Sequence, residues 1–244
     1  MPVPSVLRVR EARVVRLHRC TPELFELECA LVERDDFSFI AGQWVYLHLV
    51  DEAGASIAKG AFSLANAPEE GKDLRFGIKI YGRLTSTFSE MREGDRLGVQ
   101  GPFGRFVLPV EDVPLAMFGG GIGITPLRSM VFAALHDTTR VAPVLVFWVA
   151  RTEEELIYHT EFLAWQKAFP ERFTYIPSLT REHRADWSGE RGRLEARMLD
   201  QGGFSWESAH AFTCGPQLFM DGIKALLAAR GLEGKPRYHE ERFL

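Results

Sequence analysis

Two glycine-containing segments of the sequence could line a ligand site, and the first of them could bind a phosphate group. The first has the sequence G-G-G-I-G-I-T-P and contains Gly121, Gly123, Thr125 and Pro126. Glycine lets the backbone approach a ligand closely, and Thr125 can cap a helix whose first residue is Pro126. The free amides and the dipole at such a helix start form a seat for a pyrophosphate. A tight strand-to-helix turn without a ligand would need the same residues, so this segment alone leaves both interpretations open.

The second segment lies about ninety residues later and consists of Cys214, Gly215 and Pro216. It again falls between a predicted strand and a predicted helix. Open α/β sheets bind ligands at the carboxyl ends of their strands, so we expect both turns to line one crevice. A free cysteine is commonly a small buried hydrophobic residue, and that alternative stays open for Cys214.

The pattern of predicted secondary structure that positions these turns changes near residue 110. Before that point, short β-rich segments alternate with turn signals, which is typical of a small sandwich or barrel. One helical turn is predicted at Phe88–Arg92. The predicted strands are Ala12–Leu17, Leu24–Leu31, Trp44–Val50, Leu74–Ile80 and Arg96–Gln100.

After residue 110, strands, glycine turns and helices alternate, which predicts a parallel sheet flanked by helices. The sequence therefore predicts a β-barrel domain over residues 1–110 and an α/β domain over residues 111–244. The predicted strands of the second domain are Leu115–Phe118, Val141–Ala150, Phe173–Ser178 and Ala211–Thr213. The predicted helices are Pro126–Leu135, Thr152–Ala168, Leu194–Leu199 and Gln217–Arg230.

The order of these features resembles the ferredoxin–NADP(+) reductase-like flavoproteins. In that family an antiparallel Greek-key barrel binds flavin and precedes a parallel-sheet domain that binds a nicotinamide nucleotide. The family's nucleotide domain carries a GxGxxP loop and a C-G-P turn, which Gly121-x-Gly123-x-x-Pro126 and Cys214-Gly215-Pro216 match in order. The resemblance spans nearly the full length and is nearest to the bacterial ferredoxin/flavodoxin–NADP(+) reductase branch.

A segment of the barrel half looks like the R-x-[YF]-S flavin motif of that family. It consists of Gly60, Ala61, Phe62 and Ser63. The resemblance implies that Phe62 lies against the isoalloxazine ring and that Ser63 forms a hydrogen bond near flavin N5. Gly60 replaces the arginine that binds a flavin phosphate in the family. Lys59 could supply the charge, although a one-residue shift in a strand points its side chain to the other face.

A second barrel segment resembles the family loop that wraps the flavin pyrophosphate. It consists of Gly82, Arg83, Leu84, Thr85 and Ser86. The resemblance implies that its amides and the Thr85 and Ser86 hydroxyls donate to phosphate oxygens. Arg83 could replace the charge missing at Gly60, whereas a polar hairpin turn would need nothing from Arg83. Lys79, just before this segment, is a further expected cofactor-binding residue.

Three arginines bear on the choice of nicotinamide nucleotide. The resemblance implies that Arg151, Arg181 and Arg193 hold the 2′-phosphate of NADP, which favours NADP(H) over NAD(H). Arginine suits this role because it binds phosphate bidentately. The alternative is a solvated, charge-balanced loop, since Glu182 and Glu190 lie among the arginines.

The resemblance also assigns roles near the reacting atoms. It places Cys214 near the nicotinamide C4, where a small, polarisable side chain adds no charge. The E-R-F ending matches family C-termini, so Glu241 could relay a proton to flavin N5 through Ser63, and Phe243 could cover the ring. A terminal run of charges is usually solvated, which is the alternative for Glu241.

Together these features predict an NAD(P)H oxidoreductase. It would pass hydride to flavin N5 and electrons on to a separate carrier such as ferredoxin, flavodoxin or an oxygenase component. The family branch favours FAD over FMN. Two alternatives stay open: a free-flavin reductase, and a non-enzymatic electron-transfer or regulatory subunit with a weakened flavin site.

Composition excludes several other classes. The net charge of −4 is not that of a nucleic-acid binder. The longest apolar run, Val141–Ala150, is far shorter than the ~20 residues of a membrane span. The seven histidines show no metal-ligand spacing, so no metal site is expected. Three cysteines without a CxxC pair and the absence of a visible secretory signal predict a cytoplasmic location.

Overall fold

The computed structural model describes residues 5–33, 37–181, 185–201, 204–232 and 236–242. The chain divides into two compact units, Met1–Val107 and Leu108–Leu244. Among the described residues, no helix is both long and apolar enough to cross a membrane.

The described part of the first unit contains six strands in one antiparallel sheet, with the order β4-β3-β6-β1-β2-β5. This confirms the predicted antiparallel barrel-like architecture. Helix α1 (Gly82–Phe88) follows β5, and short 3-10 helices lie at Ser5–Leu7 and Pro68–Glu70. The strands are β1 (Val9–Arg19), β2 (Leu24–Leu31), β3 (Trp44–Val50), β4 (Ser56–Ser63), β5 (Leu74–Lys79) and β6 (Arg96–Phe103).

Alternating side chains build the core of this unit. Phe25 and Leu27 of β2 face Ile78 and Phe76 of β5 across the antiparallel register, and all four are buried. Successive side chains of a strand point to opposite faces, so every second residue enters the core. Burying one such side chain stabilises the fold by about 2 kcal/mol.

Two features of this unit differ from the sequence predictions. The sequence places Lys59 and Gly60 in a strand but predicts no bounds for β4, because Ser56–Lys59 is exposed and lacks apolar alternation. Pairing with β3 holds this strand in place. The predicted turn at Phe88–Arg92 is wrong, since the helix is Gly82–Phe88. It forms because Leu84 and Phe88, four residues apart, pack on the core from one helix face.

The described part of the second unit contains a six-stranded parallel sheet with the order β10-β9-β8-β7-β11-β12. This confirms the predicted parallel, helix-flanked architecture. The strands are β7 (Leu115–Gly120), β8 (Val144–Ala150), β9 (Phe173–Leu179), β10 (Glu190–Arg191), β11 (His210–Cys214) and β12 (Tyr238–Glu241). The helices are α2 (Ile124–His136), α3 (His159–Ala168), α4 (Ala196–Leu199) and α5 (Gln217–Ala228), with 3-10 turns at Gly121–Gly123 and Glu153–Glu155.

The central strands of this sheet are apolar because helices cover both of their faces. Every residue of β7 and β8 is buried, and Phe118 stacks on Phe147 with 5.3 Å between ring centroids. The predicted helix at Thr152–Ala168 is in fact the 3-10 turn Glu153–Glu155 followed by α3. The sheet brings the carboxyl ends of β7 and β11 together, with Gly119 beside Cys214.

Candidate functional site

The two glycine turns touch each other at the carboxyl edge of the parallel sheet. A Cβ on Gly123 would lie 2.2 Å from the Cys214 carbonyl oxygen, and a Cβ on Gly215 would lie 2.9 Å from the Gly120 Cα. Both obstacles are backbone atoms, so no side-chain movement could relieve them. Gly123 and Gly215 are therefore required by the contact between the turns, whether or not a ligand is bound.

Among the glycines of the two turns, Gly121 is the one that faces open space. Its φ is +55°, a conformation that glycine adopts easily, and a Cβ there would meet nothing within 4 Å. The Trp148 indole N–H donates to the Gly121 carbonyl oxygen at 2.9 Å. Gly121 thus lies where a ligand could approach the backbone closely.

The start of the following helix differs from the sequence prediction. Gly123 is the N-cap and α2 begins at Ile124, so Thr125 is not the cap and Pro126 is not the first helical residue. The 3-10 turn at Gly121–Gly123 shifts the helix start by two residues. The buried Thr125 hydroxyl donates to the Ile122 carbonyl at 2.8 Å and so tightens that turn.

Cys214 ends strand β11 beneath the glycine loop. Its side chain is fully buried, and burial raises the pKa of its thiol well above the ordinary value, with a further contribution from the Glu241 charge. The thiol is therefore neutral at physiological pH. It can contribute a small, polarisable surface without charge.

Glu241 lies opposite Cys214 in the register of β12 and β11. Its Oε2 atom is buried and has no hydrogen-bond partner among the described residues. Burial raises the pKa of its carboxyl from 4.5 to about 7. The C-terminal charge run is thus a paired edge strand at Tyr238–Glu241 rather than a solvated tail. Phe243 lies outside the described residues.

The three arginines follow the ends of neighbouring parallel strands, β8, β9 and β10. The Arg181 amide donates to the Arg151 carbonyl at 2.8 Å, which ties the first two together. The Arg151 Nε donates to Glu155 at 2.6 Å, so its guanidinium is partly neutralised. Arg181 and Arg193 are exposed and form no ion pair with described residues. Glu182 lies outside the described residues.

In the barrel unit, the surroundings of Gly60 are filled by apolar side chains. A Cβ on Gly60 would lie 3.0 Å from both Leu84 Cδ2 and Phe62 Cε2. The Phe62 ring packs edge-on against Phe88 with 5.8 Å between centroids. The Lys59 ammonium lies over the Tyr46 ring, 4.3 Å from its centroid. The Lys59 ammonium therefore contacts Tyr46 on the face of β4 opposite to that of position 60.

Ser63 ends strand β4 and is only 6% exposed. Its hydroxyl has no hydrogen-bond partner in the described part of the chain, so it can donate to a ligand. The neighbouring Ala61 is exposed and lies opposite Tyr46 in the register. Ser63 is thus the side chain of its motif that offers a free polar group.

The hydroxyls of α1 are used within the helix itself. The Thr85 hydroxyl donates to the Tyr81 carbonyl at 2.7 Å, and the Ser86 hydroxyl donates to the Gly82 carbonyl at 3.0 Å. The expected donation of these two hydroxyls to phosphate would break those bonds. The first amides of α1 keep no intrahelical acceptor and remain the donors at this end.

Two basic side chains flank the start of α1, and their surroundings differ. Arg83 is exposed and makes no ion pair with any described residue. The Lys79 ammonium lies 3.4 Å from a Glu23 carboxylate oxygen. Arg83 is therefore the more available of the two positive charges at the start of α1.

Sequence reasoning missed Trp148 and Glu155. Trp148 lies in a strand that is apolar throughout, and the sequence gives no signal that one of its side chains reaches the glycine loop. Glu155 is one of three consecutive glutamates, and only the structure shows which of them contacts Arg151.

Both units match known protein families. Residues 12–108 match the family described as an oxidoreductase FAD-binding domain. Residues 117–225 match the family described as an oxidoreductase NAD-binding domain. The matches follow the order predicted from the motifs.

Two curated relatives are similar along most of the chain. Ferredoxin–NADP reductase B of Sorangium cellulosum is 33% identical over 237 residues, which cover 94% of each chain. The glycine betaine monooxygenase reductase subunit of Pseudomonas aeruginosa is 30% identical over 213 residues. That match covers 85% of this chain and 57% of the relative, so the relative is much longer.

Solved structures share the fold at low sequence identity. The cytochrome b5 reductase domain of Ulva prolifera nitrate reductase superposes with a TM-score of 0.84 at 17% identity, covering 98% of this chain and 100% of that one. A ferredoxin NADP+ reductase from Neisseria gonorrhoeae, solved with FAD and NADP bound, gives 0.79 at 20% identity, covering 96% and 98%. At these identities the similarity concerns the fold alone.

Proposed function

Because the chain belongs to the ferredoxin–NADP(+) reductase-like family of FAD- and NAD-binding oxidoreductases, we propose that it oxidises NADPH and passes the electrons to a separate carrier. One observation carries the proposal. The Gly121–Gly123 loop, Cys214 and Glu241 meet at the carboxyl edge of one parallel sheet. That edge is where open α/β sheets bind their ligands.

The residues of the barrel unit fit FAD. When bound, FAD accepts a hydride at N5 and releases the two electrons singly or as a pair. The free Ser63 hydroxyl would donate to the flavin ring, and Phe62 would pack against it. The first amides of α1 and the unpaired Arg83 guanidinium would hold the phosphates. Arg83 thus takes the place of the charge absent at Gly60.

The nucleotide unit supplies a neutral contact surface and a proton-holding group. Cys214 stays a thiol at neutral pH and would touch the nicotinamide without adding charge. The Glu241 carboxyl, with a pKa of about 7, is part protonated and part ionised near neutrality, so it can hold or release a proton there. The open backbone at Gly121 would admit the pyrophosphate.

We favour NADP(H) over NAD(H) because arginines follow three adjacent strand ends. Arg181 and Arg193 keep their charge available for the 2′-phosphate. Arg151 adds less charge because Glu155 already pairs with its guanidinium. Specificity would therefore depend more on Arg181 and Arg193 than on Arg151.

We propose ferredoxin or flavodoxin as the carrier. The relative named as a ferredoxin–NADP reductase matches over 94% of both chains, whereas the relative named as a monooxygenase reductase subunit is much longer than the match. An oxygenase component is the less favoured partner for this reason.

One observation favours a free-flavin reductase as the second candidate. The space next to Gly60 is filled by Leu84 and Phe62, so no cation reaches the phosphates from that strand position. Such a protein would bind flavin weakly and use it as a substrate. Its electrons would leave with the released flavin rather than through a protein carrier.

Turnover of gel-filtered protein separates the two candidates. NADPH oxidation with ferricyanide, and then with ferredoxin, is measured with and without added FAD. Turnover that needs no added flavin supports the proposed function. Turnover that rises in proportion to added free flavin supports the free-flavin reductase instead.

A further inference from the structure

Trp148 is buried at the carboxyl end of β8, and its one polar atom faces the glycine loop. The side chain is fully buried, with Tyr158 and Phe162 at ring-centroid distances of 6.1 and 5.7 Å. Its Nε1–H donates to the Gly121 carbonyl oxygen at 2.9 Å. A packed indole has little freedom, so this donor is fixed in position.

The Gly121 carbonyl has a second donor. The Ile124 amide also donates to it at the end of the 3-10 turn. With two donors, both lone pairs of this oxygen are used, and the carbonyl is directed toward the protein. The peptide bond between Gly121 and Ile122 is trans, so the Ile122 N–H points opposite to that carbonyl. The loop therefore presents a donor, rather than an acceptor, away from Trp148.

We propose that Trp148 is a positioning residue for dinucleotide binding, because it locks the Gly121–Ile122 peptide in the orientation that suits an anion. The inference rests on the proposed function, in which the pyrophosphate binds at this loop. Without the indole N–H, the peptide preceding Ile122 loses one of its two anchors. Gly121 has the freedom to let that peptide rotate, which would turn a carbonyl oxygen toward the phosphates.

The experiment compares Trp148→Phe with Trp165→Phe. The first keeps an aromatic ring and removes the donor to Gly121. The matched control Trp165 lies in the same aromatic cluster, 5.1 Å from Phe162, and its indole donates no hydrogen bond to the described residues. Kd for NADPH and NADH is measured by titration, together with KM and kcat for the tighter-binding nucleotide. Thermal unfolding shows that both variants are folded.

We expect Trp148→Phe to raise Kd and KM about tenfold, because a tenfold change corresponds to the free energy of one hydrogen bond. The variant should leave kcat within about twofold. Trp165→Phe should leave Kd within about twofold. Equal weakening by both variants would mean that Trp148 only packs the core, and would overturn the inference.

A third variant separates the inference from the proposed function. Gly121→Ala adds a Cβ in the open space beside the loop and should weaken dinucleotide binding if the pyrophosphate binds there. If Gly121→Ala weakens binding and Trp148→Phe does not, the positioning role is wrong while the binding site stands. If neither variant changes Kd, the dinucleotide does not bind at this loop, and the inference fails together with the proposed binding site, whereas NADPH oxidation itself is tested by turnover.

A shape-preserving replacement covers the case in which Trp148→Phe does not fold. Benzothienylalanine, introduced at position 148 alone, replaces the indole N–H by sulfur and keeps the ring size. A tenfold rise in Kd would support the inference, and an unchanged Kd would overturn it.

Discussion

A side chain added at Gly123 of the nucleotide unit and one added at Gly60 of the barrel unit would meet different kinds of neighbour. In the nucleotide unit, a side chain on Gly123 would collide with the Cys214 backbone, which cannot move without displacing a buried strand. In the barrel unit, a side chain on Gly60 would meet only the ends of Leu84 and Phe62, at 3.0 Å. The first site is fixed by the fold itself, whereas the second can adapt. We propose that the phosphate-binding charge absent at position 60 is supplied by Arg83 instead.

The two regions also share a feature. Thr125 and Thr85 both lie near a helix start, and both donate their hydroxyl hydrogen to a backbone carbonyl, at 2.8 and 2.7 Å. In both regions the hydroxyls shape the turn. Backbone amides and arginines are left as the groups that can bind phosphate.

The largest expected effect comes from substituting the two glycines in parallel. Gly123→Ala should lower the unfolding free energy of the nucleotide unit by about 3 kcal/mol or more, because backbone must move. Gly60→Ala should cost about 1 kcal/mol or less, because only side-chain ends must move. Denaturant unfolding followed by tryptophan fluorescence measures the stability of the nucleotide unit, since four of the five tryptophans lie in that unit. Circular dichroism and flavin release measure the stability of the barrel unit. Similar losses of stability in the two variants would show that the two glycine sites tolerate a side chain equally.

The next effect concerns Glu241, whose buried carboxylate oxygen has no hydrogen-bond partner; no carboxylate among the described residues of the barrel unit shares this property. The pKa of its carboxyl is raised from 4.5 to about 7, so the fold favours the neutral form. The contribution of this carboxyl to the free energy of unfolding is fully present below pH 4.5 and is lost as the pH rises to 7. Glu241→Gln should therefore match the natural protein in stability at pH 4 and exceed it by about 2–3 kcal/mol at pH 8.

The same variant should slow the reaction. Loss of the proton-holding carboxyl should lower kcat about 100-fold near pH 7 and flatten its pH dependence there. A variant with normal kcat and an unchanged pH profile would exclude Glu241 from proton transfer, whatever its effect on stability.

A smaller effect is expected in the barrel unit from Arg83. Arg83→Ala should weaken FAD binding about tenfold, because an unpaired guanidinium near the phosphates is lost. Lys79→Ala is the control and should change FAD affinity by less than about threefold, since Glu23 already neutralises Lys79. Isothermal titration of the flavin-free protein measures both. Unchanged affinity in Arg83→Ala would mean that the charge missing at Gly60 is not replaced there.

The smallest expected effect is on the KM for NADPH and comes from arginines of the nucleotide unit. Arg181→Ala and Arg193→Ala should each raise KM for NADPH about five- to tenfold and leave KM for NADH nearly unchanged. Arg197→Ala is the matched control, because Arg197 is exposed but already paired with Glu190 and Glu195. A natural protein that prefers NADH would contradict the nucleotide assignment before any variant is made.

Local patterns predicted much of the fold. Leu24–Leu31 and Trp44–Val50 form strands with the predicted bounds, because alternating apolar residues define their buried face. The bounds of strand Ser56–Ser63 were not predictable, because the strand lies at a sheet edge and is held by pairing rather than by its own burial. Edge strands of this kind carry little periodic signal.

The site was predictable only in part, because its details depend on distant contacts. The motif spacing predicts that the two glycine turns meet. The spacing does not reveal that Gly123 lies in the contact between the turns while Gly121 faces open space. The reason is that the atom that a Gly123 side chain would meet belongs to Cys214, which is distant in sequence. The burial of Glu241 likewise depends on pairing with β11 and not on its neighbours in sequence.

The visible spectrum of gel-filtered protein, recorded before and after anaerobic addition of one equivalent of NADPH, tests the proposed flavin-dependent oxidation of NADPH most directly. We expect a flavin absorption band that survives gel filtration and is bleached on mixing. A protein that stays colourless after loading with FAD, or a flavin band that neither NADPH nor NADH bleaches, would contradict the proposal.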